Sequence, residues 1–398
     1  MLGSFPIANN RFIFITIYLM NNKRLNVLLI SPLPEDLIGG ISFWTSHILS
    51  FYQKKDNSNV QIQQYFGRNV IPIHTGDSLL KRLYRGFRAY IPMYFAIKKI
   101  LKSNGYDIFH LCSSGSISLV KDFCLLHLAK KMGVKSVLHF HFGRIPDLYS
   151  KSNWEYKLLI MVVKQADCTI VLDKRSFDIL YKITGKKIYQ LPNPLSNGVI
   201  ALKDKYKEIE RRKRTILFVG HVILTKGVFE LVRACKQIDN IELEIVGFVN
   251  NETKEALLEE AGEKSESWLR ILGEQNHSTI IKYMLSSSVF VLPTYTEGFP
   301  NVVLEAMACG CPIVATNVGA IPEMLNIKNV NTCGLCVSPK DVEALKISIN
   351  KMLTDVDFAK SCIMNSQKRV KEMYSLLSVC HDLENIWFSL MSKSLYKL

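Results

Sequence analysis

The sequence predicts an α/β protein made of two doubly wound, Rossmann-like domains. Three observations carry that expectation: the length, the alternation of strand-like with helix-like segments, and a turn-rich linker near the middle. A chain of 398 residues exceeds what one hydrophobic core organises. Short β-branched runs that alternate with helix-period segments are the pattern of βαβ units, whose strands pair in parallel.

In the first half the expected strands are Asn26–Ile30, Val60–Phe66, Ile108–Cys112, Ser136–Phe140, Cys168–Leu172 and Lys187–Leu191. In the second they are Thr215–Val219, Ile241–Val246, Trp268–Leu272, Val289–Leu292 and Pro312–Thr316. The run from Leu191 to Gly198 is rich in Pro, Asn, Ser and Gly and divides the chain near residue 195. The expected domains are therefore 1–195 and 196–375, with residues 1–19 an extension ahead of a working start at Met20. A closing helix over 376–398 carries Leu376, Val379, Cys380, Leu383, Ile386, Trp387, Leu390 and Met391 on one stripe, which must lie on protein.

Composition narrows the classes. The net charge is +15, and all of it falls in residues 1–195, so the first half is basic and the second neutral. Such a half faces an anionic partner or serves solubility alone. The ten cysteines lack the look of a disulfide framework, which fits a reducing cytoplasm. Cys333-Gly334-Leu335-Cys336 has no second pair and reads as a buried strand, with a zinc or redox site as the alternative. The apolar run Phe12–Met20 is far shorter than the roughly 20 residues of a membrane span. From Leu79 to Lys102 aromatic and basic residues interleave, which suits an anionic lipid surface; no nucleic-acid module accompanies them.

The most informative stretch runs from Thr294 to Thr316: a strand end, a Gly/Pro loop bearing Glu297, a helix opening at Pro300–Asn301, a Gly310 stop and another strand. The first amides of that helix, on Asn301, Val302 and Val303, are expected to be free and to meet a diphosphate. Glu297 and Glu305 can accept hydrogen bonds from hydroxyls. A second segment, Thr215 to Gly227, is a strand, a Gly220 turn and a loop ending in Lys226, a cation able to neutralise charge on a departing phosphate. In the first half, Gly39-Gly40 opens a helix after the first strand. Ser136 to Arg144 sets His139 and His141 on one face of a strand end, with His141 nearer the loop.

The run Glu297-Gly298-Phe299-Pro300-Asn301-Val302-Val303-Leu304-Glu305 resembles the Glu-x7-Glu signature of the group 1, family 4 retaining glycosyltransferases. That resemblance implies the GT-B fold: two facing Rossmann-like domains, donor mainly on the second, acceptor on the first, and the closing helix crossing back to the first. It implies a nucleotide diphosphate sugar, UDP- or GDP-linked, as donor, and a glycan acceptor of surface-polysaccharide synthesis. Carried over residue by residue, Glu297 meets the donor sugar and Glu305 the ribose, with Gly298, Phe299, Asn301, Val302 and Val303 around them. Lys226 and His221 meet the diphosphate, Gly247 and Leu272 the nucleoside, and Gly39 and Gly40 close over the phosphates. His141 stands near the sugar carbon, with His139 as the alternative. His221 replaces the arginine usual in the family and cannot form a bidentate phosphate contact. No Asp-x-Asp clamp is evident, so no metal or other cofactor is expected. A peripheral place on the inner face of a membrane follows from the basic half and a lipid-linked acceptor. Another GT-B activity, such as an epimerase or a phosphorylase, and a silent binding protein are the alternatives.

Overall fold

The computed structural model describes residues 24–34, 39–54, 59–66, 79–103 and 105–391, with side chains of the helix Leu79–Ser103 described from Arg88 onward. The expected extension 1–19 and the start at Met20 lie outside the described residues. The chain forms two compact units, residues 1–191 with 379–398, and residues 192–378.

The first unit alternates strand and helix: β1 (Leu25–Ile30), α1 (Gly40–Gln53), β2 (Val60–Tyr65), α2 (Leu79–Ser103), β3 (Ile108–Ser113), α3 (Ser118–Lys131), β4 (Lys135–Phe140), α4 (Ile145–Lys151), α5 (Trp154–Gln165), β5 (Cys168–Val171), α6 (Lys174–Thr184) and β6 (Lys187–Gln190). Its sheet has the order β2-β1-β3-β4-β5-β6, parallel throughout. Every residue of β3 and β5 is buried, as expected where helices cover both faces of a parallel sheet.

The second unit repeats the plan with α7 (Asn197–Lys205), β7 (Thr215–Val219), α8 (Val228–Cys235), β8 (Glu242–Val246), α9 (Asn251–Ala261), β9 (Leu269–Gly273), α10 (His277–Ser286), β10 (Val289–Leu292), α11 (Asn301–Cys309), β11 (Ile313–Thr316), α12 (Ile321–Met324), β12 (Leu335–Val337), α13 (Val342–Thr354) and α14 (Val356–Arg369). The sheet order is β12-β11-β10-β7-β8-β9, again parallel. Asn250, Asn276 and Asp355 start α9, α10 and α14 by accepting from the amide three residues on. Asp355 and Asp357 form one Asp-x-Asp spacing, at the start of α14, where Asp355 Oδ1 accepts from the Phe358 amide as the helix cap.

The closing helix, α15 (Leu376–Met391), returns to the first unit at Val379. Val379, Cys380, Leu383 and Trp387 are completely buried, which accounts for the stripe. One expectation needs correction: the Cys333–Cys336 segment becomes a strand only at Leu335, and Cys336 is half-buried, since β12 is the edge of its sheet and one side stays uncovered.

Candidate active site

In the second sheet the chain leaves β7 toward β8 on one side and is joined by β10 on the other. Such a reversal of strand order opens a crevice beyond the carboxyl ends of the strands, where doubly wound sheets hold ligands. The loop after β7 carries His221 and Lys226; the loop after β10 carries Glu297. The Tyr295 amide donates to the Thr225 carbonyl at 2.9 Å, and the Thr294 hydroxyl to the same oxygen at 3.3 Å. Gly227, at φ +69°, makes this clamp possible: an added Cβ would lie 2.0 Å from the Pro293 carbonyl oxygen. So fixed, Lys226 Nζ donates to the Glu297 carboxylate in a direct ion pair. Two residues 71 positions apart thus meet at the switch point.

The helix start behind Glu297 departs from expectation in two places. The Val303 amide donates to the Pro300 carbonyl at 3.0 Å, because α11 opens with one tight turn, so it is not free. Among the described residues nothing accepts from the Asn301 and Val302 amides, and these two remain to meet an anion. Phe299, expected beside the donor, is instead buried with its ring edge on Tyr374, 5.7 Å between centroids; it anchors the loop. The Gly298 carbonyl accepts from Ala320, and Asn301 Oδ1 from Asn193 at 3.1 Å.

Glu305, one turn into α11, accepts from His277 Nε2 at 3.0 Å. That bond raises the His277 pKa above its ordinary range despite partial burial. His277 was not anticipated, and its one sequence signal is position: it follows the Asn276 cap and so opens α10. His221 is exposed, while the Leu272 carbonyl accepts from Gln275 at 2.9 Å. Gly247 has a backbone reason of its own: at φ +142° an added Cβ would meet the Gly220 carbonyl at 1.9 Å, so it lets the ends of β7 and β8 touch.

In the first unit, Gly39 is extended and Gly40 begins α1, whose Trp44 lies over a cluster of histidines. His139 and His141 do share a face, their ring centroids 3.9 Å apart, and His110 of β3 joins them. Burial lowers all three pKa values, those of His110 and His141 to about 3, so the cluster is neutral. His110, Cys112 and His139 bring three potential metal-ligand atoms within 4.8 Å of one another. Hydrogen bonding argues against a metal. Trp387 Nε1 donates to His110 Nδ1 at 3.0 Å, so the proton of neutral His110 sits on Nε2 and points at His139 Nδ1, 3.3 Å away. The ligating lone pair of His110 is thereby occupied. His139 must then carry its own proton on Nε2, a buried donor without a partner among the described residues, where the buried His141 Nε2 is likewise unpaired. A hydroxyl or phosphate oxygen would satisfy either.

Two family descriptions match in succession: Glycosyltransferase Family 4 over residues 53–196 and Glycosyl transferases group 1 over residues 201–369. An uncharacterized glycosyltransferase of Methanocaldococcus jannaschii is 26% identical over 305 residues, covering 72% of this chain and 76% of its own. The capsular polysaccharide biosynthesis glycosyltransferase CapM of Staphylococcus aureus is 28% identical over 205 residues, 48% of this chain and 50% of its own. Among solved structures, sucrose-phosphate synthase of Thermosynechococcus elongatus superposes with a TM-score of 0.72 at 19% identity, over 93% of this chain and all of that one. The Anabaena protein HepE in complex with UDP gives 0.64 at 14% identity, covering 94% of this chain and 100% of its own.

Proposed function

Because the chain belongs to the group 1 glycosyltransferases of GT-B fold, we propose that it is a retaining hexosyltransferase that moves a sugar from a UDP- or GDP-sugar to a lipid-linked glycan of surface polysaccharide, docked on the inner face of a membrane. The observation that carries this reading is the meeting of Lys226, Glu297 and the open amides of Asn301 and Val302 at the switch point of the second sheet. A diphosphate needs positive charge and N–H donors, and this corner offers both. On donor binding, Lys226 exchanges Glu297 for the leaving phosphate, and Glu297 turns to the sugar hydroxyls.

As the bond from sugar to phosphate breaks, the acceptor oxygen attacks from the same face and the departing phosphate takes its proton. Lys226 and the α11 amides stabilise the charge that grows on the diphosphate, and no divalent ion is needed for it. Glu305 holds the ribose. Relatives whose names concern capsule and teichuronic acid biosynthesis, and an O-antigen mannosyltransferase, favour a polysaccharide acceptor; neighbours solved with UDP and UDP-glucose favour a nucleotide sugar. The basic first half favours an anionic membrane, and no helix among the described residues is long and apolar enough to cross one.

A panel of nucleotide sugars, read by thermal shift, tests the donor side. The cognate donor stabilises the wild type, Glu305→Ala weakens that binding, and Glu297→Ala lowers turnover more than affinity. If both variants transfer at the wild-type rate, the site is wrongly assigned. Neutralising Lys81, Arg82, Arg85 and Arg88 together releases the protein from phosphatidylglycerol vesicles while sparing donor binding; unchanged vesicle association refutes the docking.

A further inference from the structure

The helix α2 holds seven Lys and Arg residues and no Asp or Glu. Met93, Ile97 and Leu101 are buried, and the opposite stripe faces solvent: Arg88, Ile91, Phe95, Lys99 and Lys102, spaced three or four apart. Ile91 is 51% and Phe95 61% exposed, so two large apolar side chains stand in water with cations a turn away on either side. Beside them, between α2 and α3, lies an open groove of about 500 Å³, within the range of small-molecule sites. Its walls are largely aromatic, with Tyr90, Tyr94 and Phe95 from one helix and Phe123 and Cys124 from the other.

The polar groups in this groove are mostly spent. His127 Nδ1 pairs with Gln165 Nε2 at 3.2 Å, and burial raises the Tyr90 phenol above its ordinary range. Asp122, the one acid of α3, is completely buried, bonded to the Ser113 hydroxyl and set against Lys121. A peptide would need backbone partners that these walls do not supply, and a base would need polar edges to read. An apolar slot flanked by cations that have no ion-pair partner among the described residues suits an amphiphile with a hydrocarbon chain and an anionic head.

We propose that this groove receives the hydrocarbon chain of the lipid phosphate that carries the glycan acceptor, with Lys99 and Lys102, one turn apart at one end of the groove, beside its head. The inference rests on the lipid-linked acceptor reading and adds to it a specific seat for the lipid. The enzyme would then read the carrier lipid as well as its sugar.

The test uses the full chain with dodecyl phosphate, below its micelle concentration, against hexyl phosphate and inorganic phosphate. In titration calorimetry dodecyl phosphate binds at least tenfold more tightly than the other two, and the double variant Ile91→Ser, Phe95→Ser abolishes that preference. Both side chains are exposed, so the variant keeps its melting temperature and its thermal shift with donor. Apart from half-buried Cys336, Cys124 is the one cysteine not fully buried, and in a Cys336→Ser background dodecyl phosphate slows its alkylation by maleimide at least fivefold. Equal binding of all three probes, or a preference that survives in the double variant, overturns the proposal. If a monomeric short-chain phosphatidylglycerol, below its micelle concentration, protects Cys124 as well as dodecyl phosphate does, the groove takes bulk lipid and the assignment to the acceptor falls. Transfer to a lipid-linked acceptor is assayed separately: its absence, with groove binding intact, refutes the acceptor reading and leaves the lipid seat standing.

Discussion

At the scale of single residues, the loops that carry the candidate site were legible because a glutamate pair in an intact nine-residue run is a strong signal, and the Lys226 loop repeats the logic of a cation before a helix. The Lys226–Glu297 ion pair was not legible, since nothing in the chain says which loops meet. Only the strand order β10-β7 places the two residues together. The roles proposed for them can be separated by kinetics. Lys226→Ala should lower turnover by more than about 100-fold, the scale of losing one oxyanion-type stabiliser. A variant with wild-type turnover would remove Lys226 from the chemistry. His277 makes a different prediction, for stability. Its folded pKa is raised by Glu305, so the bond contributes fully below the unfolded pKa of about 6.5 and is lost as pH rises through the higher folded value. Urea midpoints of wild type and His277→Ala should therefore differ most near pH 5.5 and converge toward pH 9. A gap that stays constant with pH would mean that the histidine acts by packing alone.

At the scale of elements, the eleven strands expected between Asn26 and Thr316 agree with those observed to within a residue at either end, helped where buried parallel strands such as β3 and β5 read as apolar runs, while the edge strand β12 starts two residues later than expected. The histidines show where such reading stops. Alternation correctly put His139 and His141 on one face, but His110 sits on β3 and its partner Trp387 lies 277 residues away on α15, a contact that no local pattern encodes. This cluster has a measurable cost in acid. The folded pKa values are depressed, so below about pH 6.5 the unfolded chain takes up protons that the folded chain refuses, and stability falls as pH drops toward 3. Each buried histidine contributes up to about 1.4 kcal/mol per pH unit over that window. Replacing His110 by Asn should flatten the dependence between pH 6.5 and 5 by about one proton's worth, measured as the change in unfolding free energy. Trp387→Phe, which strips His110 Nδ1 of its donor, should cost about 1–3 kcal/mol and let the His110 ring populate both tautomers, visible in its nitrogen chemical shifts. A single unchanged tautomer would show that Trp387 does not set it.

At the scale of the whole molecule, the two units differ in a way that the linker alone did not reveal. The second unit is continuous in sequence, residues 192–378, and every residue of the Lys226–Glu297 and His277–Glu305 pairs lies inside it. The first unit is discontinuous: its core is closed by Val379, Cys380, Leu383 and Trp387, which arrive last along the chain. Helical periodicity gave the stripe on α15, yet it could not say which surface the stripe covers, since any apolar face would satisfy it. The consequence is an asymmetry under dissection. A fragment of residues 192–378 keeps its sheet, its switch point and both glutamates, and should fold alone and bind the donor. A fragment of residues 1–191 lacks the helix that buries His110 and Tyr52, and should be partly unfolded, with exposed apolar surface that binds a hydrophobic dye. Supplying the α15 sequence in trans as a peptide should restore its cooperative melting. The decisive measurement is the thermal shift of the 192–378 fragment with the nucleotide sugar that stabilises the intact chain: at 100 times the dissociation constant, linkage gives about 2.7 kcal/mol, enough to raise the melting temperature by several degrees. If that fragment folds but the donor leaves its melting temperature unchanged, the second unit is not sufficient for donor binding.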